Sequence, residues 1–154
     1  MDADQQFVLF QLASVSYAVA IASVQEIIRL PALTQVPQAL PHVVGITNLR
    51  GSIVPVLDLR QRCGLAATEP TAATRVVVVQ QGSHRMGLIV DSVDEVTTIP
   101  ADSIEPVAAL VHDGRAGQLL LGVARLQDRL VLLLDLAKVV AQGDEDGLGA
   151  LAVA

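Results

Sequence analysis

Residues Gly45 to Arg60 read GITNLRGSIVPVLDLR, and Gly122 to Ala137 read GVARLQDRLVLLLDLA, with six of the sixteen aligned positions identical. An earlier pair repeats in the same order. FVLFQLASVSYAVAIASVQEII, from Phe7, lies over VVVVQQGSHRMGLIVDSVDEVT, from Val76, again with six identities. The chain therefore reads as two copies of one β-rich unit, each burying apolar faces within itself and against its twin. On this reading the functional surface is sought at the seam between the copies.

Working outward, Phe7 to Leu12 and Tyr17 to Ile21 are apolar or alternating runs joined by Ala13-Ser-Val-Ser16, a hairpin pattern. Val76 to Val79 and Met86 to Val90 repeat it around residues 81–85. SVQEI and SVDEV follow, and their apolar spacing fits a helical turn or a strand edge equally. Pro31, Pro37 and Pro41 then exclude a long helix. Val44 to Leu49 and Ile53 to Leu57 form a further hairpin whose tip holds Gly51, a residue able to take positive φ. Its echo turns at Gln127-Asp128. Asp58 and Asp135 each precede a short helical stretch that they can cap. Leu65 to Thr74, LAATEPTAAT, is the linker between the copies, and residues 143–154 lack periodicity and read as a flexible tail. The expected class is all-β with short helices, arranged as paired small barrels.

The chain has 154 residues, within the size of one domain or two small subdomains. Hydrophobic residues make up 52% and aromatics 2%, so the interior must be built from Val, Leu, Ile and Ala. Of the net charge of −6, five acids (Asp2, Asp4, Asp144, Glu145, Asp146) lie in the terminal segments. Between Phe7 and Gln142 eleven acids face ten bases, which leaves no basic footprint for nucleic acid. Cys63 is the single cysteine, so no intramolecular disulfide forms and a cytosolic setting is expected. MDADQQ lacks the pattern of a secretory signal, and charges interrupt the apolar runs well short of a membrane span.

No catalytic constellation is found, and no cofactor or metal site is expected. Gly45 to Gly51 lacks the Gly-Lys-Ser/Thr ending that grips phosphate. His42, His84 and His112 have no metal-ligand spacing with each other or with Cys63. Ser83-His84 reads as a solvated turn, and Asp91, Asp94 and Glu95 as a solvated edge.

What remains is a surface, and there the chain resembles a known family. SVQEI, the proline-rich connection and GITNLRGSIVPVLDLR resemble the first half of the bacterial chemotaxis coupling protein family CheW. VVVVQQGSHRMGLIVDSVDEV and LLLGVARLQDRLVLLLDLAKVV resemble its second half. The resemblance implies a CheW-like domain over residues 7–142, made of two SH3-like five-stranded β-barrel subdomains. The first would span about 12–64 and the second about 76–135, with exchange of terminal segments between them left open.

It implies a non-catalytic, cytoplasmic adaptor held at membrane receptor arrays through its partners. Those partners are the regulatory domain of the histidine kinase CheA and the cytoplasmic tip of methyl-accepting chemoreceptors. By the same resemblance Ile21, Val24, Glu26, Arg50, Val93 and Val96 would bind the receptor. Gly45, Ile46, Asn48, Leu49 and Arg50 would bind the kinase. A scaffold in a chemosensory system for type IV pilus motility or gene expression is the alternative output, and a small enzyme or metal-binding domain on the same barrels the remote one.

Overall fold

The computed structural model describes residues 4–37, 42–106 and 119–140. The terminal segment 143–154 and His112 lie outside them. Among the described residues eleven strands run in chain order: β1 (Asp4–Leu12), β2 (Val15–Ala20), β3 (Val24–Arg29), β4 (Val43–Leu49), β5 (Ser52–Asp58), β6 (Arg75–Gln81), β7 (His84–Val90), β8 (Ser92–Pro100), β9 (Ile104–Glu105), β10 (Leu120–Leu126) and β11 (Arg129–Leu134). Helix α1 (Leu59–Arg62) follows β5 and helix α2 (Leu136–Val140) follows β11. The fold is mostly β, as expected, in two SH3-like barrels, and one sheet gains a short sixth strand, β9.

The strand order is β8-β1-β2-β11-β10-β9 in one sheet and β3-β6-β7-β5-β4 in the other. Each sheet therefore takes the first hairpin of one copy and the later strands of the other. Hairpin β1–β2 joins the second copy's strands, and β6–β7 joins the first copy's. The parallel pairs β2–β11 and β5–β7 are the equivalent joints. SVQEI and SVDEV both open strands: β3 pairs with β6 and β8 with β1. Only a single 3-10 turn, Ile21–Ser23, precedes β3.

The apolar runs of β1 and β6 follow from this exchange, because both faces of each strand are covered. Val8, Phe10 and Leu12 enter the main core with Tyr17, Val77, Val79, Met86 and Leu88, so that core draws on both sheets. Phe7 and Leu9, on the other face of β1, pack with Ala18, Ile99, Val131 and Leu133 inside the six-stranded barrel. The rings of Phe10 and Tyr17 stack with centroids 6.1 Å apart. Burial raises the Tyr17 hydroxyl pKa and pushes the Cys63 thiol up to about 11. Cys63 is thus an inert member of the main core.

Turns and caps follow local chemistry. Ala13 and Ser14 at φ 53° and 68°, and Arg50 and Gly51 at 54° and 86°, provide the two successive left-handed residues of tight hairpin turns. Asp58 Oδ1 accepts from Arg60 N at 3.0 Å, and Asp135 Oδ1 accepts from Ala137 N at 3.1 Å, so both aspartates cap as expected. Buried Arg62 of α1 donates to the carbonyls of Val139 and Lys138 at the end of α2, at 2.8 and 3.0 Å. One guanidinium thereby ties the two copies' helices together.

Candidate functional site

The motif Gly45-Ile-Thr-Asn-Leu-Arg-Gly51 places each of its marked residues by a local requirement. Gly45 sits where a Cβ would lie 2.9 Å from the Thr34 carbonyl oxygen and 3.0 Å from the Leu33 Cβ. That space is absent because Thr34 pairs with Ile46 along the outer edge of β4, with both N–H···O bonds at 2.9 Å. Gly122 repeats the arrangement: a Cβ there would meet the Glu105 carbonyl oxygen of β9 at 2.7 Å. Both glycines also follow a bulge in their strand. Asn48 Oδ1 accepts from Gly51 N at 3.0 Å and secures the turn that carries Arg50.

Arg50 then reaches back to β3. Its Nε and one terminal nitrogen donate to Glu26 Oε2 and Oε1 at 3.0 and 2.9 Å, a two-pronged pair. The Arg50 side chain is 73% exposed and that of Glu26 21%. The hydrogen bonds from Arg50 hold the Glu26 carboxyl below the usual carboxylate range, and the field of Arg85 on β7 assists them. Glu26 and Arg50, both marked in the sequence, are thus joined by side-chain hydrogen bonds.

The remaining marked residues lie on sheet edges. Val24 and Glu26 are on β3, one edge of the five-stranded sheet, and Gly45, Ile46, Asn48 and Leu49 are on β4, its other edge. Val93 and Val96 are on β8, an edge of the six-stranded sheet. Val24 and Val93 are partly buried against the same main core, whereas Ile21 and Val96 are 37% and 47% exposed. The kinase-segment residues differ in access, since Gly45 is buried and the backbone of Ile46 is taken by Thr34.

Of the three acidic residues read as a solvated edge, Asp94 and Glu95 are indeed exposed on edge strand β8, whereas Asp91 is half-buried and firmly partnered. Asp91 takes Arg60 Nε and a terminal nitrogen on its two oxygens at 2.8 Å each, and Ala13 N also donates to it at 2.8 Å. This corner joins α1, the first hairpin turn and the β7–β8 junction. The bonds from Arg60 hold the Asp91 carboxyl down. Asp94 accepts from Gln11 at 3.2 Å, and Glu95 from Arg129 at 2.8 Å. Sequence reading passed over Arg60, Arg85 and Arg129. The alignment of Glu95 with Glu26 was the one available signal for Arg129, and it was masked because the second arginine sits two positions later than the first.

Beside Arg60 a cleft of about 200 Å³ opens between the linker and β7, lined by Leu30, Leu33, Glu69 and Ile89 among others. The Arg60 guanidinium on its wall is already held by Asp91 and by the Ala66 carbonyl. Among the described residues no helix is long and apolar enough to cross a membrane.

The family model of the CheW-like domain matches residues 6–144. The chain is 31% identical over 137 residues to the chemotaxis protein CheW of Klebsiella aerogenes, covering 89% of this chain and 82% of that one. It is 30% identical over 135 residues to the chemotaxis protein CheW of Rhizobium meliloti, covering 88% and 86%. Among solved structures, the scaffolding protein TtCheW from Thermoanaerobacter tengcongensis is similar with a TM-score of 0.82 and 30% identity, over 91% of this chain and 94% of that one. With its repeats, exchanged hairpins and motif geometry, the chain belongs to the CheW-like domain family.

Proposed function

We propose that this chain is a non-catalytic cytoplasmic adaptor that couples methyl-accepting chemoreceptors to the regulatory domain of the histidine kinase CheA. The observation that carries the reading is the placement of the family-matched residues. Val24 and Glu26 on β3, Val93 and Val96 on β8, and Asn48 and Leu49 on β4 are all on edge strands, with Arg50 in the turn beside them. Edge strands keep a free flank that another chain can cover. On this reading a helical receptor hairpin lies over Ile21, Val24, Val93 and Val96, as an apolar helix face lies in a groove. The kinase takes the β4 edge and the turn after it, and Arg50 stands between the two surfaces.

Titration of the purified chain against a receptor cytoplasmic fragment and a CheA regulatory-domain fragment tests the proposal. Binding to each, and receptor-dependent control of kinase activity only when the chain is present, is the expected result. Absence of binding to both fragments would overturn it.

A further inference from the structure

Sheet register puts Glu26 and Arg85 on one face of the five-stranded sheet. Glu26 lies opposite Val78, Val78 opposite Gly87, and Gln80 opposite Arg85, all separated by even steps along their strands. Arg50 closes over Glu26 from the β4–β5 turn. The corner thus holds two guanidiniums and one carboxylate, and the division of labour between the cations is uneven. Arg50 is largely in solvent yet makes both bonds to Glu26. Arg85 is more enclosed, its Nε is buried, and its side chain makes no hydrogen bond or ion pair among the described residues. A buried donor left without an acceptor requires a reason.

We propose that Arg85 is the standby partner of Glu26: when Arg50 turns outward to an acidic side chain of the receptor, Glu26 passes to Arg85. The proposal deepens the adaptor reading and rests on its assignment of Arg50 to the receptor surface. Arg50 is the cation able to leave, because it is exposed and sits at a turn tip that the core does not hold. Its fork of N–H donors fits a carboxylate on two points, which makes an acidic side chain the partner group. Glu26 is the group left short, since it loses both of its hydrogen bonds when Arg50 departs, and a carboxylate stripped of its charged partner opposes that release. Arg85 removes that penalty, and its field already reaches Glu26 in the free protein.

The test is a set of titrations against a purified receptor cytoplasmic fragment, with a thermal melt for every variant. Arg85→Met removes the standby charge and is expected to weaken receptor binding about ten-fold. Adding Glu26→Gln removes the carboxylate that would be stranded. The double variant should then bind like Glu26→Gln alone, within about three-fold.

Unchanged binding by Arg85→Met overturns the proposal. So does a loss that Glu26→Gln fails to rescue, since Arg85 would then touch the receptor itself or hold the fold. If Arg85→Met melts early, Arg85→Gln, which keeps a polar tip, takes its place in the same cycle. Failure of the underlying surface reading has a separate signature: Val96→Asp and Arg50→Met would both bind the receptor as the unmodified chain does.

Discussion

Arg129 donates to Glu95 across 2.8 Å, and in doing so repeats in the second copy the pairing that Arg50 makes with Glu26 in the first. The two glutamates align in the repeat, but the arginines do not. Gln127 stands where Arg50 would be and keeps its left-handed φ, 52° against 54°, while the cation has moved to the position aligned with Ser52. Turn geometry and charge pairing have thus been separated in the second copy. Both partners there are well exposed, at 42% and 52%, so the pair contributes little to stability. Arg129→Gln should leave unfolding stability within about 0.5 kcal/mol of the unmodified chain, as chemical denaturation would read.

For the first pair, Arg50→Glu sets two carboxylates against each other at the corner. Receptor binding should fall at least about thirty-fold while circular dichroism stays β-rich. The swapped double variant, Glu26→Arg with Arg50→Glu, separates two causes. It restores the internal pair but presents the receptor with reversed charge, so binding should stay weak. Recovery in the swap would confine Arg50 to an internal role.

The apolar strip divides into a clean probe and a mixed one. Val96 is 47% exposed on an edge strand, so Val96→Asp should weaken receptor binding about ten-fold or more with an unchanged melt. Val24 packs partly against the main core. Val24→Asp should therefore also lose about 1 to 3 kcal/mol of stability, visible as an earlier melt. Equal melts for the two variants would contradict their different burial.

Gly45 and Gly122 should be equally intolerant of a side chain. Ala at either site brings a methyl group to within 2.9 or 2.7 Å of a backbone oxygen, so relief requires moving the Thr34 segment off β4 in one case and β9 in the other. Each substitution should cost about 1 to 3 kcal/mol in denaturant unfolding. Gly51→Ala offers a contrast, since nothing lies near its Cβ position and only its φ of 86° resists. Its cost should be nearer about 1 kcal/mol.

Acid should loosen the corner at Asp91. The Arg60 bonds depress its carboxyl in the folded state, so the stabilisation is fully present above the unfolded value near 3.8 and is lost as pH falls through the lower folded value. Asp91→Asn removes that dependence and leaves Arg60 without its charge partner. The variant should be less stable by about 1 to 2 kcal/mol near neutral pH, with the difference shrinking below about pH 4. Melts across that range would show the two curves converge.

Much was legible from residues alone because it depends on near neighbours. The repeat, the four hairpins, the aspartate caps of α1 and α2, and the exceptional status of Gly51 all rest on contacts a few positions apart along the chain. The family resemblance, carried by the Gly45 to Arg60 motif, led to the right fold class. SVQEI and SVDEV were undecidable, since a five-residue apolar spacing serves a turn or a strand until a neighbour supplies hydrogen bonds.

Tertiary structure decided which hairpin entered which sheet. β1 and β6 are apolar on both faces, so neither carries a local preference for its own copy, and burial against the other copy selects the exchange. It also decided that Arg50 faces Glu26 and that Arg60 faces Asp91. Those relations cross 24 and 31 positions of chain. A charged side chain's partner is set by which strand edges fold against one another, and that is a property of the assembled sheets and not of the residues beside it in sequence.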